Sequence, residues 1–365
     1  MMVLSVAFLT AGCSNGDESE PESKIDRLKV ATLNVDGLPL SVSLGKPEEL
    51  GVFGGFLKIL ESMIDTSAVH IRIDGEGRYS VMLNPDGPGE EGSELIGEKI
   101  RERRWDVIGF NEDFNYHDEI WRSLDGYSAG TYMGKITGNL EELISRIISR
   151  KILFDIDGLE FGIRKPYAMN NEVIRPWVPE AVYGYMTNCQ DGLTMKGFRY
   201  YQLCPDSQTS VDFILLHTDA GYEEEDARAR EAAYNQLYKF ITEEIMTNNP
   251  LVIMGDFNSL YVRDRLKELF IDRLNATPNL EARDVWVEYL NGGEYPEYRH
   301  FLIDDDQFDI TENSEMLDKI IYVNRRTAPI RLKLESAANA LSFTYADGKP
   351  LSDHYPLEAE FVIER

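Results

Sequence analysis

Leu251 to Ser259 reads L-V-I-M-G-D-F-N-S. Four apolar residues in succession fit a short strand buried on both faces, and Gly255 lets the backbone turn and end it. Asp256 and Asn258 follow, two residues apart and therefore on one side of the chain. The carboxylate can accept a hydrogen bond from water or meet a cation, while the carboxamide can donate to an oxyanion. A Gly-Asp-x-Asn run after an apolar stretch is, in isolation, more often a turn closed by an Asx hydrogen bond. Its meaning therefore depends on the partners supplied elsewhere.

Working outward, Val211 to His217 (V-D-F-I-L-L-H) reads as the preceding strand, and Glu223 to Met246 as a long helix between the two. Downstream, Arg263 to Phe270 reads as a short helix and Ala276 to Gln307 as loop-rich. Leu317 to Val323 reads as a strand carrying an inward Asp318, and Leu357 to Ile363 as a last strand preceded by Ser352-Asp353-His354. Toward the N-terminus, Arg27 to Val35 alternates like a strand and ends in Asn34-Val35-Asp36-Gly37-Leu38. Glu90 to Arg104 has helical spacing. Val107 to Phe110 is a second buried apolar run, and it delivers Asn111, Glu112 and Asp113 at its end. Leu140 to Phe154 is amphipathic with a basic flank, which suits a helix covering the core and leaves a membrane-surface or lid role open. No repeat or linker divides the body, so residues 27–365 are read as one domain.

With 64 acidic against 37 basic residues the net charge is -27, a field that repels polyanions and argues against a nucleic-acid substrate. Residues 1–13 form a short apolar segment running into Leu9-Thr10-Ala11-Gly12-Cys13. It resembles a bacterial lipoprotein signal with Cys13 as the lipidated residue. Residues 14–26 are acidic and Ser-rich, read as a disordered tether and similar to tracts that direct lipoproteins to the cell surface. The expected location is thus an outer membrane or cell surface. Cys189 and Cys204 are the remaining cysteines, and a disulfide between them is left open.

Polar groups recur where apolar runs stop: Asn34 and Asp36, Glu112, His217, Asp256 and Asn258, Asp318, then Asp353 and His354. In this order they resemble the endonuclease/exonuclease/phosphatase (DNase I-like) superfamily of metal-dependent phosphoesterases. Gly255-Asp256-Phe257-Asn258 and Ser352-Asp353-His354 are the most specific motifs, with Asn34-Val35-Asp36-Gly37-Leu38 and Leu317-Asp318-Lys319-Ile320 supporting them. The family usually has Gln before its metal-binding Glu, where this chain has Asn111. The resemblance implies a four-layer α-β-β-α sandwich of the α/β (α+β) class, two mixed sheets face to face with helices outside and the site at one end. It implies Mg²⁺, or Mn²⁺ or another divalent cation, held by Glu112 with Asn34 or Asp36, with Asp353 as an orienting or second-metal residue. His354 would be the general base oriented by Asp318. Asp256 and Asn258 would position water and phosphate, with Asn34 also contacting substrate, and His217 would bind the phosphoryl oxygens.

The lipoprotein-like start, the acidity and the stretch His217-Thr218-Asp219-Ala220-Gly221, which resembles bacterial sphingomyelinase-like members, favour a phospholipid phosphodiester as substrate. Inositol-phosphate or other small-molecule phosphatase activity is the alternative, followed by a secreted nuclease and by a non-catalytic surface binding protein. A monomer is expected. The tether reading makes a direct prediction: mass spectrometry of the N-terminal peptide finds lipid on Cys13, and a chain begun near Ser23 no longer partitions into detergent. An unmodified Cys13 would overturn it.

Overall fold

The computed structural model describes residues 25–37, 42–45, 69–73, 79–83, 87–114, 116–130, 158–178, 181, 196–206, 208–298 and 310–365. Cys13, the tether up to residue 24, Cys189 and the amphipathic stretch at 140–154 lie outside these. Cys204 is disulfide-bonded.

The strands are β1 Arg27–Asn34, β2 Val42–Gly45, β3 Val69–Ile73, β4 Tyr79–Leu83, β5 Val107–Asn111, β6 Tyr127–Ala129, β7 Glu160–Arg164 and β8 Ala168–Pro176. There follow β9 Gly197–Asp206, β10 Thr209–His217, β11 Leu251–Asp256, β12 Leu280–Asp284, β13 Asp318–Arg325, β14 Arg331–Asn339 and β15 Leu357–Glu364. Helix α1 spans Gly89–Arg103, α2 His117–Trp121 and α3 Glu224–Lys239. One six-stranded sheet has the order β14-β15-β1-β5-β7-β6 and the other β12-β13-β11-β10-β9-β8, with β2, β4 and β3 forming a small third sheet.

The continuous apolar runs have a simple cause: each central strand is covered on both faces. Along β11, Val252 and Met254 point into a core shared with Val30, Val107 and Phe161 of the opposite sheet, while Leu251 and Ile253 point away to Ala233 and Leu237 of α3. On β1, Leu28 and Val30 enter the core between the sheets, and Ala31 and Leu33 pack with Ile96 and Ile100 of α1. Helix, sheet, sheet and helix therefore stack in four layers, as expected from the sequence. Helix α1 stops where Arg104 turns left-handed at φ 57° and returns its N–H to Ile100 O at 3.1 Å.

Two readings need correction. The region 276–307 is not simply loop: Leu280–Asp284 is the edge strand β12, paired antiparallel with β13, and Trp286–Leu290 continues as a π-helical turn. Its alternation is only five residues long, with charged Glu281 and Arg283 on the outward face, so the signal was present but short. The single helix expected over 263–270 is broken, because Arg265 adopts φ 54° between a turn at Tyr261–Asp264 and a π-helical turn at Lys267–Ile271.

Gly255 holds the end of β11 together, with φ +134° and a space where a Cβ would lie 2.0 Å from Leu216 O. Gly255→Ala should therefore destabilise the protein by at least about 1–3 kcal/mol, the usual cost of such a backbone conformation. Urea unfolding checks this: the midpoint falls with little change in slope, and an unchanged midpoint would refute it.

Candidate active site

The register of the strands assembles the site. His217 pairs with Asp256 across β10 and β11, and Asp256 with Asp318 across β11 and β13, so three polar strand ends stand in one row. On the facing sheet Asn34 pairs with Asn111. The two rows meet through one amide: Asn34 Nδ2 donates to Glu112 Oε1 at 3.1 Å and to Asp256 Oδ2 at 3.2 Å. Its Oδ1 accepts the Asp36 N–H at 3.0 Å, which fixes which way the amide faces.

The turn after β5 is built around this contact. Glu112 sits at φ 60°, and its carbonyl accepts the Gly37 N–H at 3.1 Å. A Cβ on Gly37 would lie 2.3 Å from that oxygen, so only glycine permits the approach. Asp36 is buried at φ 50° beside it. Burial raises the Glu112 carboxyl above its ordinary value, Asp353 adds to the rise, and His217 and Asn34 oppose it.

Two imidazoles flank Asp256. His217 Nε2 lies 3.4 Å from Asp256 Oδ2 and 3.9 Å from Glu112 Oε1, and its carbonyl is tied by Trp177 Nε1 at 2.7 Å. His354 Nε2 lies 3.9 Å from the same Asp256 oxygen, while its Nδ1 is hydrogen-bonded to Asp318 Oδ2. Burial opposes charge on both groups. Even so, the His217 hydrogen bond and the His217 and His354 charges hold Asp256 well below the usual carboxylate range. His354 is raised well above the ordinary histidine value despite burial, because Asp318, Asp353 and Asp256 surround it.

Asn258, at φ 46°, donates its N–H to Asp256 Oδ1 at 2.8 Å and its side-chain amide to Thr218 O at 3.1 Å. Ser352 Oγ donates to Asn34 O at 2.8 Å and accepts the His354 N–H at 3.1 Å, docking the last motif on the first. Asp353 is the outlier: its side chain is 66% exposed, and its Oδ1 lies 4.0 Å from His354 Nε2. Every residue expected at the site thus lies at this end of the sandwich, with Asp353 on its rim.

Two contributors were missed. Lys196 is buried, and its charge lowers both Glu112 and Asp256, yet it stands in Thr194-Met195-Lys196-Gly197 with no pattern to mark it. Asn111, noted only as a departure, is fully buried and donates across the sheet interface to Leu216 O at 2.7 Å. A carboxamide at that place bridges the two sheets.

A Bacteroides thetaiotaomicron protein of the endonuclease/exonuclease/phosphatase family aligns over 93% of this chain and 95% of its own, with TM-score 0.52 and 16% identity. The fold is that of the endonuclease/exonuclease/phosphatase superfamily. Other solved structures are similar to the same extent. A mannosyl-6-phosphatase of B. thetaiotaomicron has TM-score 0.53 and 16% identity over 92% of this chain and 99% of that one. D. rerio TDP2 complexed with single strand DNA product has TM-score 0.53 and 13% identity over 92% and 98%. In sequence, sphingomyelinases of Mycobacterium tuberculosis and Mycobacterium bovis are 29% identical over 175 residues, 48% of this chain. That alignment spans 31% of the relatives' own length. No family model matches the chain.

The His354 pair sets a pH dependence with a definite sign. A histidine acting as base must be neutral, so log kcat should rise along an acidic limb centred above the usual 6.5 and then level off. His354→Ala should remove that limb and lower kcat by roughly 10² to 10⁴. The pairing also contributes stability that is fully present below the unfolded value and lost as pH rises through the folded one. The melting-temperature gap between wild type and His354→Ala should accordingly shrink on the alkaline side. Loss of the limb in His217→Ala instead would exchange the two histidines.

Proposed function

We propose that this chain is a divalent-cation-dependent phosphoesterase that cleaves a phosphodiester by water attack, with sphingomyelin-type phospholipids as its substrate class. The observation that carries the reaction type is the meeting of two imidazole Nε2 atoms at one buried carboxylate, with Glu112 alongside. Glu112 fits a cation: its carboxyl is raised by burial and by Asp353, a state that a bound positive charge relieves. Hard oxygen donors on Glu112, Asp36 and Asp353 suit Mg²⁺ or Mn²⁺. When bound there, the ion supplies neutralisation of a non-bridging phosphate oxygen.

The protein's own groups do the rest. Asn34 orients the Glu112 carboxylate through its amide N–H. Asp318 holds His354 Nδ1, leaving Nε2 to take the proton from the attacking water. His217 Nε2 donates to the phosphoryl oxygen as its negative charge grows, and Lys196 adds a fixed positive charge nearby. Asp256, kept ionised, aligns both rings, and Asn258 N–H keeps Asp256 in place. The lipid preference is supported by the sphingomyelinase similarity. The net charge of -27 weighs against DNA. A lipid on Cys13 would hold the body beside such a substrate.

A substrate panel tests the proposal: sphingomyelin, phosphatidylinositol, inositol phosphates, and single- and double-stranded DNA, each with Mg²⁺ and with chelator. Sphingomyelin turnover should exceed the rest, vanish in chelator, and fall sharply in Glu112→Gln together with its metal dependence. Turnover undiminished by chelator would remove the cation from the scheme, and a higher kcat/KM for DNA would make the protein a nuclease.

A further inference from the structure

Immediately beyond Glu112 lies a second cluster that the proposed reaction does not use. Asp113 follows Glu112, His117 opens α2, and Glu160 opens β7, and one ligand atom from each falls within 4.8 Å of the others. His117 Nδ1 and Asp113 Oδ2 are 2.7 Å apart. Asp113 and Glu160 are fully buried, and the His117 side chain is 14% exposed.

The two carboxylates are poorly satisfied. Asp113 Oδ1 and both carboxylate oxygens of Glu160 are shielded from solvent and have no hydrogen-bond partner among the described residues. Burial pushes the Glu160 carboxyl up to about 8, although Arg199 and His117 pull it down, while Asp113 and Glu172 push the same way as burial. Two buried carboxylates with three oxygens lacking a hydrogen-bond partner among the described residues, beside an imidazole, form an arrangement that buried polar groups rarely keep without a partner.

We propose that Asp113, His117 and Glu160 bind one divalent transition-metal ion, zinc or manganese, at a site separate from Glu112. One imidazole nitrogen with two carboxylate oxygens is a donor set for those ions, whereas magnesium favours oxygen alone and keeps its waters. The spacing agrees: ligand atoms about 2.0–2.2 Å from an ion stand roughly 3 to 4.4 Å from one another, so a few tenths of an ångström of movement completes the contact. The role is structural. The Asp113 N–H already donates to Gly158 O at 3.1 Å, so an ion there would clamp the turn after β5 to the segment entering β7. That clamp would hold Glu112 in its left-handed conformation at φ 60°.

The test uses full-length protein stripped of metal and titrated separately with Zn²⁺, Mn²⁺ and Mg²⁺. Affinity is read by competition with a chelating dye, stoichiometry by elemental analysis, and stability by thermal melting. Glu112→Gln should still bind one Zn²⁺ or Mn²⁺ and gain melting temperature from it. Glu160→Gln should bind that ion at least about 10-fold more weakly and lose the gain. Should Glu160→Gln fail to fold, His117→Gln, altered at the partly exposed member, gives the same reading. Retention of that ion when Glu160→Gln and His117→Gln are each made in the Glu112→Gln background overturns the site. Loss of all tight binding in Glu112→Gln alone overturns it too. Failure of the wild type to bind Zn²⁺ or Mn²⁺ at any concentration that leaves the protein folded overturns the site as well. Since binding, not turnover, is measured, none of these outcomes depends on the substrate.

Discussion

A carboxylate buried between two β-sheets is tolerable only if its charge is met on every side, and Asp256 imposes that condition on this fold. Its Oδ1 takes the Asn258 N–H, and its Oδ2 faces Asn34 Nδ2 and the Nε2 atoms of His217 and His354. Those partners come from β1, from β10 and from the loops after β11 and before β15. A slip of one residue in any strand pairing would turn a partner to the other face and leave the charge uncompensated. The polar cluster and the strand registers therefore specify one another.

The same condition explains the position of the candidate site residues. Polar side chains can converge only where the strands end, because the space between the sheets is filled by residues such as Phe161, Phe213 and Met254. At that edge the sheets are joined by amides, Asn34 to Glu112 and Asp256, and Asn111 to Leu216 O. The Asn34 amide is met on both of its ends, its Nδ2 by the two carboxylates and its Oδ1 by the Asp36 N–H, which a hydrophobic contact could not offer them.

Three residues around this centre, Asp36, Glu112 and Asn258, hold left-handed backbone conformations. Asp and Asn accept this through local hydrogen bonds, and both here use one, whereas for glutamate the conformation is costly. Glu112 keeps it because Gly37 and the Asn34 amide hold its main chain and side chain from one direction. The buried cluster at Asp113 lies on the other. Three of the seven non-glycine residues with positive φ among the described residues thus stand within this one cluster, where neighbouring groups hold them in place.

The sequence by itself determined central strands covered on both faces, from apolar runs such as Leu251 to Met254 and Val107 to Phe110, while the four-layer order was what the resemblance of its motifs implied. It also marked the candidate site residues, since Gly255-Asp256-Phe257-Asn258 and Ser352-Asp353-His354 carry their spacing within a few positions. Five-residue β12 and the π-helical turns were not legible, as their periodicity is too brief to separate from loop. Only the tertiary structure decided which charges meet. Lys196 reaches Glu112 and Asp256 from a stretch without pattern, Asp353 is left at the rim, and Glu160 joins Asp113 across 47 positions of chain. The physical reason is that local spacing sets which face a side chain occupies, whereas strand register and sheet packing set what stands opposite it.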